Sequence, residues 1–202
     1  MEKKIIISIG RQFGGGGLAV AHELGQKLGI PVYDKEIINK AAQDSGFSAE
    51  VFMERDERKS LFSFSAIFAN RFSETENYMS DRGIFKMQSE TIIKIAEQGS
   101  AVIVGRCSDY ILRDRTDVLS VFLTSPAEVR AQRIAERCGI SIEQAERLIE
   151  EKDSKREEYY NYYTFGDWGK ASTYDLCLDS SILGIEGTAE MIIEFARRKE
   201  LI

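Results

Sequence analysis

Residues 5–21, IIISIGRQFGGGGLAVA, constrain the fold of this chain more than any other stretch. An apolar run typical of a buried strand leads into a tight cluster of glycines, and an amphipathic helical pattern follows. A strand, a glycine loop and a helix in this order form the frame of a phosphate-binding loop, whose backbone N–H groups and positive helix end face an anion. The stretch therefore predicts an anion site at the end of the first strand.

The loop lacks the lysine and the serine or threonine that complete the usual motif, G-x-x-x-x-G-K-[ST]. Gly10 and Gly15 match its two glycines, but Gly16 and Gly17 stand at the next two positions. A frame shifted by one residue ends at Gly17 and Leu18 and fails in the same way. The chain thus has the cradle of a nucleotide kinase without its usual cation and magnesium-binding hydroxyl.

Four consecutive glycines could form a flexible turn without a ligand, but their position at a helix start favours anion binding. Glycine costs a helix about 1 kcal/mol relative to alanine, and close approach of the backbone to a phosphate is a reason to accept that cost. The predicted phosphate-binding residues are Arg11, Gln12, Phe13, Gly14, Gly15, Gly16, Gly17 and Leu18. Arg11 is the first candidate for the charge of the missing lysine.

The composition is that of a single domain of moderate size. The 202 residues include 27 basic and 33 acidic side chains, a balance that argues against broad binding of nucleic acid. No apolar run approaches the roughly 18 residues of a membrane helix, and the N-terminus leads straight into a strand pattern without a signal peptide. Three cysteines without metal-type spacing fit reduced thiols. We therefore expect a cytoplasmic protein without a metal site of its own.

Apolar runs and helical patterns alternate along the chain in the order of an α/β fold with a mostly parallel five-stranded sheet. The strand candidates are residues 4–10, 32–33, 100–104, 118–123 and 174–179. A long helical insert, residues 35–98, separates the second strand from the third and could cover an acceptor site. Its aromatic residues are expected to pack the insert; they are Phe62, Phe64, Phe68 and Phe72.

Ligands of parallel sheets bind at the carboxyl ends of the strands, so residues directly after each strand are the best site candidates. Asp34 and Lys35 follow the second strand, where Asp34 is also expected to cap a helix. Gly105 and Arg106 follow the third, and arginine suits bidentate recognition of phosphate or carboxylate. These four residues are the predicted substrate-binding set. A surface arginine held by a local carboxylate is the alternative for Arg106.

The fourth strand leads into a helix with three arginines on one face. Arg130 is expected to be solvated, whereas Arg137, at the helix end before a glycine, is the better phosphate candidate. Ser125 is expected to cap this helix, with Pro126 in its first turn. The next helix, about residues 141–163, ends in the aromatic stretch YYNYYTFGDW. A mobile flap over a ligand and a contact in an oligomer, such as a homodimer, both explain this stretch.

These features together resemble the cytidylate-kinase-like group of P-loop proteins over nearly the whole chain. The loop is similar to that group's R-x-F-G-x-G-G pattern, and three further segments look alike: VGRCSDYILRD, YYNYYTFGDWG and YDLCLDSSILG. The resemblance implies a P-loop kinase fold with a lid, here residues 138–170. It implies ATP and Mg²⁺ as cofactors, Arg106 on the acceptor's phosphate, and Asp153 and Arg156 as lid residues that help to bind acceptor and phosphates.

Departures from the family pattern leave the activity open. The lysine is absent, and Val104 and Cys107 flank Gly105-Arg106 where acidic residues are common, so specificity for CMP is not carried over. Either Arg11 and Arg137 restore the chemistry, which makes the chain a phosphotransferase acting on a nucleoside monophosphate or another small acceptor, or it is a non-catalytic nucleotide-binding protein. A purely structural interaction protein is a third hypothesis, based on the aromatic stretch.

Overall fold

A computed structural model describes residues 4–35, 38 and 74–202 of the chain. Five parallel strands form one sheet in the order β2-β3-β1-β4-β5. The strands are β1 (Ile6–Arg11), β2 (Val32–Tyr33), β3 (Ala101–Val104), β4 (Val118–Thr124) and β5 (Leu176–Asp179). The predicted α/β class and all five strand candidates are confirmed.

Helices connect the strands in the predicted order. Within the described residues they are α1 (Gly17–Leu28), α2 (Glu74–Gln98), α3 (Ser108–Ile111), α4 (Ala127–Cys138), α5 (Ile142–Thr164) and α6 (Gly184–Arg198), with a 3₁₀ turn at Ala171–Thr173. Most of the predicted insert, including its four phenylalanines, lies outside the described residues. None of the described helices is long and apolar enough to cross a membrane.

The sheet is covered on both faces, which explains its continuous apolar strands. Successive side chains of a strand point to opposite faces, so Ile7 and Ile9 pack against α1 and α6 while Ile6 packs against α2 and Ile38. The register pairs Ile9 of β1 with Val104 of β3 and with Val121 of β4. The carboxyl ends of these three strands therefore lie side by side.

The ends of the helices largely follow the sequence signals. Ser141 caps α5 in a reciprocal capping box with Gln144, and Gly139 ends α4 in the left-handed region at φ 64°. The expected cap at Ser125 is wrong, because the cap position of α4 is taken by Pro126 and no side chain caps this helix. The Ser125 hydroxyl is buried and hydrogen-bonds instead to that of Ser180, 2.9 Å away.

Candidate functional site

Donors from within the protein hold the backbone carbonyls of the glycine loop in place by hydrogen bonds. Six consecutive carbonyls, those of residues 11–16, each accept such a bond. The donors, in order, are Arg156 Nη1 at 3.1 Å, the Gly15 amide at 3.2 Å, Arg130 Nη1 at 3.2 Å, Arg133 Nη1 at 3.4 Å, Ser180 Oγ at 2.7 Å and the Val20 amide at 3.0 Å. The shape of the loop is therefore fixed by the protein itself.

The amides of the loop contrast with its carbonyls. Those of Gly14, Gly16, Gly17 and Leu18 have no hydrogen-bond acceptor in the part of the chain that the structure describes. Gly17 is also the first residue of the 12-residue helix α1, so the partial positive charge of that helix adds to these donors. Successive amides at a helix N-terminus form a concave anion-binding site. The geometry is that of a phosphate cradle.

Gly16 and Gly17 are the positions of the lysine in the two frames of the motif, and a side chain would meet close contacts at both. A Cβ at Gly17 would lie 2.7 Å from Cβ and 2.8 Å from Cγ of Arg11, so the arginine stem fills the space that a side chain would take. A Cβ at Gly16, whose φ is 75°, would lie 2.8 Å from Cδ1 of Ile185. The same Cβ would stand 3.6 Å from Nη1 of Arg133. These contacts explain why the motif ends in glycines.

The guanidinium of Arg11 lies at the end of β3 rather than beside position 16. Its Nη1 occupies the space that a Cβ on Gly105 would need. Burial, together with the positive charges of Arg156 and Arg106, lowers the pKa of Arg11 from 12.5 to about 9, and Asp34 opposes this shift. The arginine expected to replace the lysine thus faces the neighbouring cavity, and Arg133 is closer to the lysine position.

Gln12 and Phe13 anchor the loop by their side chains. Gln12 Oε1 accepts hydrogen bonds from the Thr124 hydroxyl and, at 3.4 Å, from the Ser125 amide. The Phe13 ring packs against the cluster between α4 and α5. Arg137 is exposed, with its guanidinium 5.5 Å from the centre of that ring. Arg137 therefore lies beside the Phe13 ring of the loop and does not contact the loop backbone that is predicted to bind phosphate.

Arg130 is buried, so the expectation of a solvated side chain is wrong. It is 8% exposed, and Nη1 lies 2.5 Å from Oδ2 of Asp153 while Nε donates to the Ser125 carbonyl at 3.1 Å. The other oxygen of Asp153 accepts the Phe13 amide at 2.7 Å. The reason is that α4 packs against both the loop and α5, which turns this arginine inward. Asp153 thereby fastens the lid helix α5 to the glycine loop.

A cavity of about 410 Å³ lies beside the loop at the carboxyl end of β3. Its cationic lining residues are Arg11, Lys35, Arg106, Lys152, Lys155 and Arg156. Among the described lining residues the carboxylate is that of Asp109. Lys155 lies 2.6 Å and Lys152 3.5 Å from Glu151 on the outer side of α5. The excess of positive charge makes this cavity a second candidate anion site.

A left-handed turn delivers Arg106 to this cavity. Gly105, Arg106 and Cys107 have φ angles of 78°, 57° and 55°, a conformation that costs a non-glycine residue of the order of 1 kcal/mol or more. The guanidinium of Arg106 lies 5.1 Å from the centre of the Tyr159 ring on α5. Burial raises the pKa of the Cys107 thiol to about 12, with Asp109 adding to the effect. Cys107 therefore stays protonated at neutral pH and is no nucleophile.

Asp109 joins the cavity floor to the lid helix. Its Oδ2 accepts a hydrogen bond of 2.6 Å from the hydroxyl of Tyr160. Burial raises the pKa of this carboxyl above its usual 3.8, although the bond from Tyr160 opposes the shift. Burial and the charge of Asp109 in turn raise the pKa of the Tyr160 phenol, which stays protonated. In the sequence, Asp109 is distinguished only as a local carboxylate that could hold Arg106 at the surface.

Most of the aromatic stretch, residues 159–168 at the end of α5 and just beyond it, packs within the chain. Tyr163 stacks on Phe85 of α2 with ring centres 4.0 Å apart, and Trp168 meets Phe122 of β4 edge-on at 5.4 Å. Tyr162 is 41% and Phe165 92% exposed. The homodimer stays a prediction, and these two exposed side chains are available for such a contact.

Residues 34–35 follow β2, the edge strand next to β3. The Ile38 amide donates to the backbone carbonyl of Asp34 at 3.0 Å, as expected where a helix starts after Asp34. Lys35 lines the cavity, and the charge of Asp34 acts on Arg11. Of the four predicted substrate-binding residues, Lys35, Gly105 and Arg106 thus line one space, and Asp34 acts on it through its charge.

The sequence matches the model of the cytidylate kinase-like family over residues 6–182. The chain belongs to this family. It is 28% identical over 186 residues to a cytidylate kinase of Methanopyrus kandleri, covering 88% of this chain and 85% of the relative. A cytidylate kinase of Pyrococcus horikoshii is also 28% identical, over 95% of this chain and 88% of its own length.

Solved structures agree with this assignment. An uncharacterized protein from Eubacterium ventriosum is 29% identical and superposes with a TM-score of 0.73 over 96% of this chain and 99% of that one. Shikimate kinase from Acinetobacter baumannii, in complex with shikimate, has a TM-score of 0.55 at 12% identity over 100% of this chain and 97% of its own. This second likeness shows the fold alone, which is that of the P-loop kinases.

The sequence pattern does not identify several residues of this site. It places Arg130 and Arg133 on one basic helix face and does not distinguish Tyr160 from the neighbouring tyrosines. Ser180, whose hydroxyl donates to the Gly15 carbonyl, follows β5, and its place after a strand was a usable signal. The inward turn of Arg130 depends on how α4 packs, which no local pattern reports.

Proposed function

We propose that the chain transfers the γ-phosphate of ATP to a nucleoside monophosphate or a similar phosphorylated small molecule. Family membership and the kinase fold support the coarser statement of a nucleotide kinase-like phosphotransferase. The more specific proposal, transfer to a phosphorylated acceptor, rests on the adjacency of two candidate anion sites. One consists of loop amides without acceptors among the described residues, and the other is the cationic cavity.

ATP phosphates suit the glycine loop. Four of its amides have no acceptor among the described residues while its carbonyls are held by the protein, so binding requires little rearrangement of the backbone. Transfer of a phosphoryl group needs mainly positioning of the reactants and neutralisation of charge. In this proposal Gly14 to Leu18 hold the donor phosphates, and Arg156, bound to the loop at the Arg11 carbonyl, lies between the donor and the cavity.

The acceptor occupies the cationic cavity. Its volume lies within the range of ordinary small-molecule sites, roughly 300–1,000 Å³, and its charge calls for an anionic ligand. In this proposal Arg106, held in a strained turn, binds the acceptor's phosphate, as the family resemblance implies. Arg11 has its pKa lowered by burial and by two neighbouring arginines, so a bound phosphate relieves that repulsion.

The described residues provide no cluster of ligands for Mg²⁺. Among them, no group of three or more His, Cys, Asp or Glu side chains could hold a metal ion. The position of the usual hydroxyl ligand is Gly17 or, in the shifted frame, Leu18, and neither side chain can bind a metal. Mg²⁺ commonly retains several waters and binds through substrate phosphates. We therefore assign no step to the metal through a residue of this chain.

The missing lysine supports a second function, a non-catalytic nucleotide-binding protein. In that case the preformed loop binds ATP but the phosphates are never activated for transfer. Purified protein should be incubated with ATP, Mg²⁺ and a panel of CMP, dCMP, UMP, AMP and GMP, and ADP and the nucleoside diphosphate should be quantified by chromatography. Equal amounts of the two products support the phosphotransferase. ATP binding without ADP formation supports the second function.

A further inference from the structure

We propose that Arg133 of α4 supplies to phosphates at the glycine loop the charge that lysine supplies in the usual motif. The inference rests on the proposed function, because it concerns the ATP end of the same site. It names a residue that the sequence pattern did not select. The sequence pointed to Arg11 and Arg137 for this charge.

The position of Arg133 is the first argument. A Cβ built on Gly16, the lysine position in the first of the two frames, lies 3.6 Å from Arg133 Nη1. The same Nη1 is 3.4 Å from both the Gly14 carbonyl and the Ser125 hydroxyl. The guanidinium therefore lies against residues 14–16 of the loop, the segment in which the amides without acceptors among the described residues begin.

The second argument is that the neighbouring arginines already form ion pairs and hydrogen bonds within the protein. Arg130 is buried against Asp153 and two carbonyls. Arg156 binds the Arg11 carbonyl, lies 3.7 Å from Asp153 and lines the acceptor cavity. Arg133 is half-buried and forms no salt bridge with the residues that the structure describes, and its Nε and Nη2 groups donate to none of them. The charge of Arg133 acts on Asp179, where it contributes to the lowered pKa after hydrogen bonds from Ser181, but Arg133 forms no ion pair within 4 Å among the described residues. Arg133 therefore keeps donors for a ligand.

The third argument concerns why position 16 does not carry the cation itself. Gly16 adopts φ 75° as the residue before α1, and any side chain there meets Ile185 at 2.8 Å. A lysine at this position is therefore strained in this loop. A cation brought from the adjacent helix avoids both problems.

The test uses the full chain and ATP with Mg²⁺ in titration calorimetry. Arg133→Gln keeps a donor for the Gly14 carbonyl but removes the charge, whereas Arg133→Lys keeps the charge. We expect Arg133→Gln and Arg133→Ala to weaken ATP binding by about 10- to 100-fold, as for a lost charged hydrogen bond. Arg133→Lys should stay within about threefold of the wild type, since it retains the cation.

Controls separate charge from folding. Arg197→Ala removes an exposed arginine in the last turn of α6 and should leave ATP binding unchanged. Thermal unfolding without nucleotide checks that every variant is folded. A merely structural role predicts that Arg133→Gln binds like the wild type and that only Arg133→Ala is impaired.

The outcomes distinguish the inference from the function on which it rests. If wild type binds ATP and Arg133→Gln binds equally well, the assignment of Arg133 is overturned while the phosphotransferase proposal stands. If the wild type binds no ATP, both are overturned. Weak binding by Arg133→Gln together with near-normal binding by Arg133→Lys supports the assignment.

Discussion

The glycine loop and the cationic cavity lie side by side, but they are prepared for anions in opposite ways. The loop uses backbone amides, and its carbonyls are already satisfied by fixed donors. The cavity uses side-chain charges from several elements, and burial, together with repulsion from Arg156 and Arg106, lowers the pKa of Arg11. The loop is thus organised before any ligand arrives, whereas the cavity gains most by receiving one.

This difference implies that the two regions fail differently when altered. Damage to the loop should act through backbone geometry and should affect every phosphate ligand bound there. Damage to the cavity should act through charge and should affect the acceptor alone. The variants below test that contrast in order of expected effect.

Gly16→Ala should have the largest effect. The added Cβ meets Ile185 at 2.8 Å on a backbone with φ 75°, and strain of this kind costs about 1–3 kcal/mol. We expect the loop to shift away from its binding shape and ATP binding in titration calorimetry to fall by about 100-fold, which corresponds to about 2.8 kcal/mol, near the upper end of that range. Gly83→Ala, where a Cβ of α2 meets nothing within 4 Å, is the matched control and should bind ATP normally. Normal ATP binding by Gly16→Ala would contradict a backbone-built site.

Arg106→Ala should weaken the acceptor by about 10- to 100-fold while leaving ATP binding intact, because one charged contact is lost from the cavity alone. The measurement compares the KM for the best acceptor with the Kd for ATP. Arg113→Ala is the control, since Arg113 follows the same strand but lies over the Tyr110 ring outside the cavity. Equal loss of ATP and acceptor would refute separate sites.

Asp153→Ala should destabilise the protein by about 3 kcal/mol, the usual cost of leaving a buried charge without its partner. The side chains of Arg130 and Asp153 are 10% and 14% exposed, and the Phe13 amide loses its acceptor as well. Urea unfolding measures the change. Glu151→Ala, an exposed change on the same helix, should leave the midpoint unchanged. An unchanged midpoint for Asp153→Ala would mean that the lid helix does not hold the loop.

Asp109→Asn should have the smallest effect, which is a change in the pH dependence of stability. The pKa of Asp109 is raised in the native state, chiefly by burial, so the native protein binds more protons than the unfolded chain above the usual 3.8. The free energy of unfolding contributed by this group therefore falls as pH rises through that region.

Unfolding in urea at pH 4 and pH 7 tests this expectation. Wild type should lose stability relative to Asp109→Asn between the two values, while the amide oxygen still accepts the hydrogen bond from Tyr160. A constant difference between the two proteins would show that the carboxyl is not perturbed by its site.

The sequence predicted the fold well because its signals are local. Continuous apolar runs gave the strands, and Ser141 and Gly139 gave helix ends. It also placed Arg106 correctly beside the cavity, because residues after a parallel strand lie at the ligand edge. The directions of Arg11, Arg130 and Arg133 could not be predicted. They depend on contacts with residues more than 90 positions away in sequence.

The most direct test of two separate anion sites is a titration of the best acceptor from the nucleotide panel into the protein saturated with a non-hydrolysable ATP analogue and Mg²⁺. The account predicts that the acceptor binds with a stoichiometry of about one while the analogue stays bound, because the loop and the cavity accept different phosphates. Displacement of the analogue by the acceptor would contradict it, since both ligands would then share a single site.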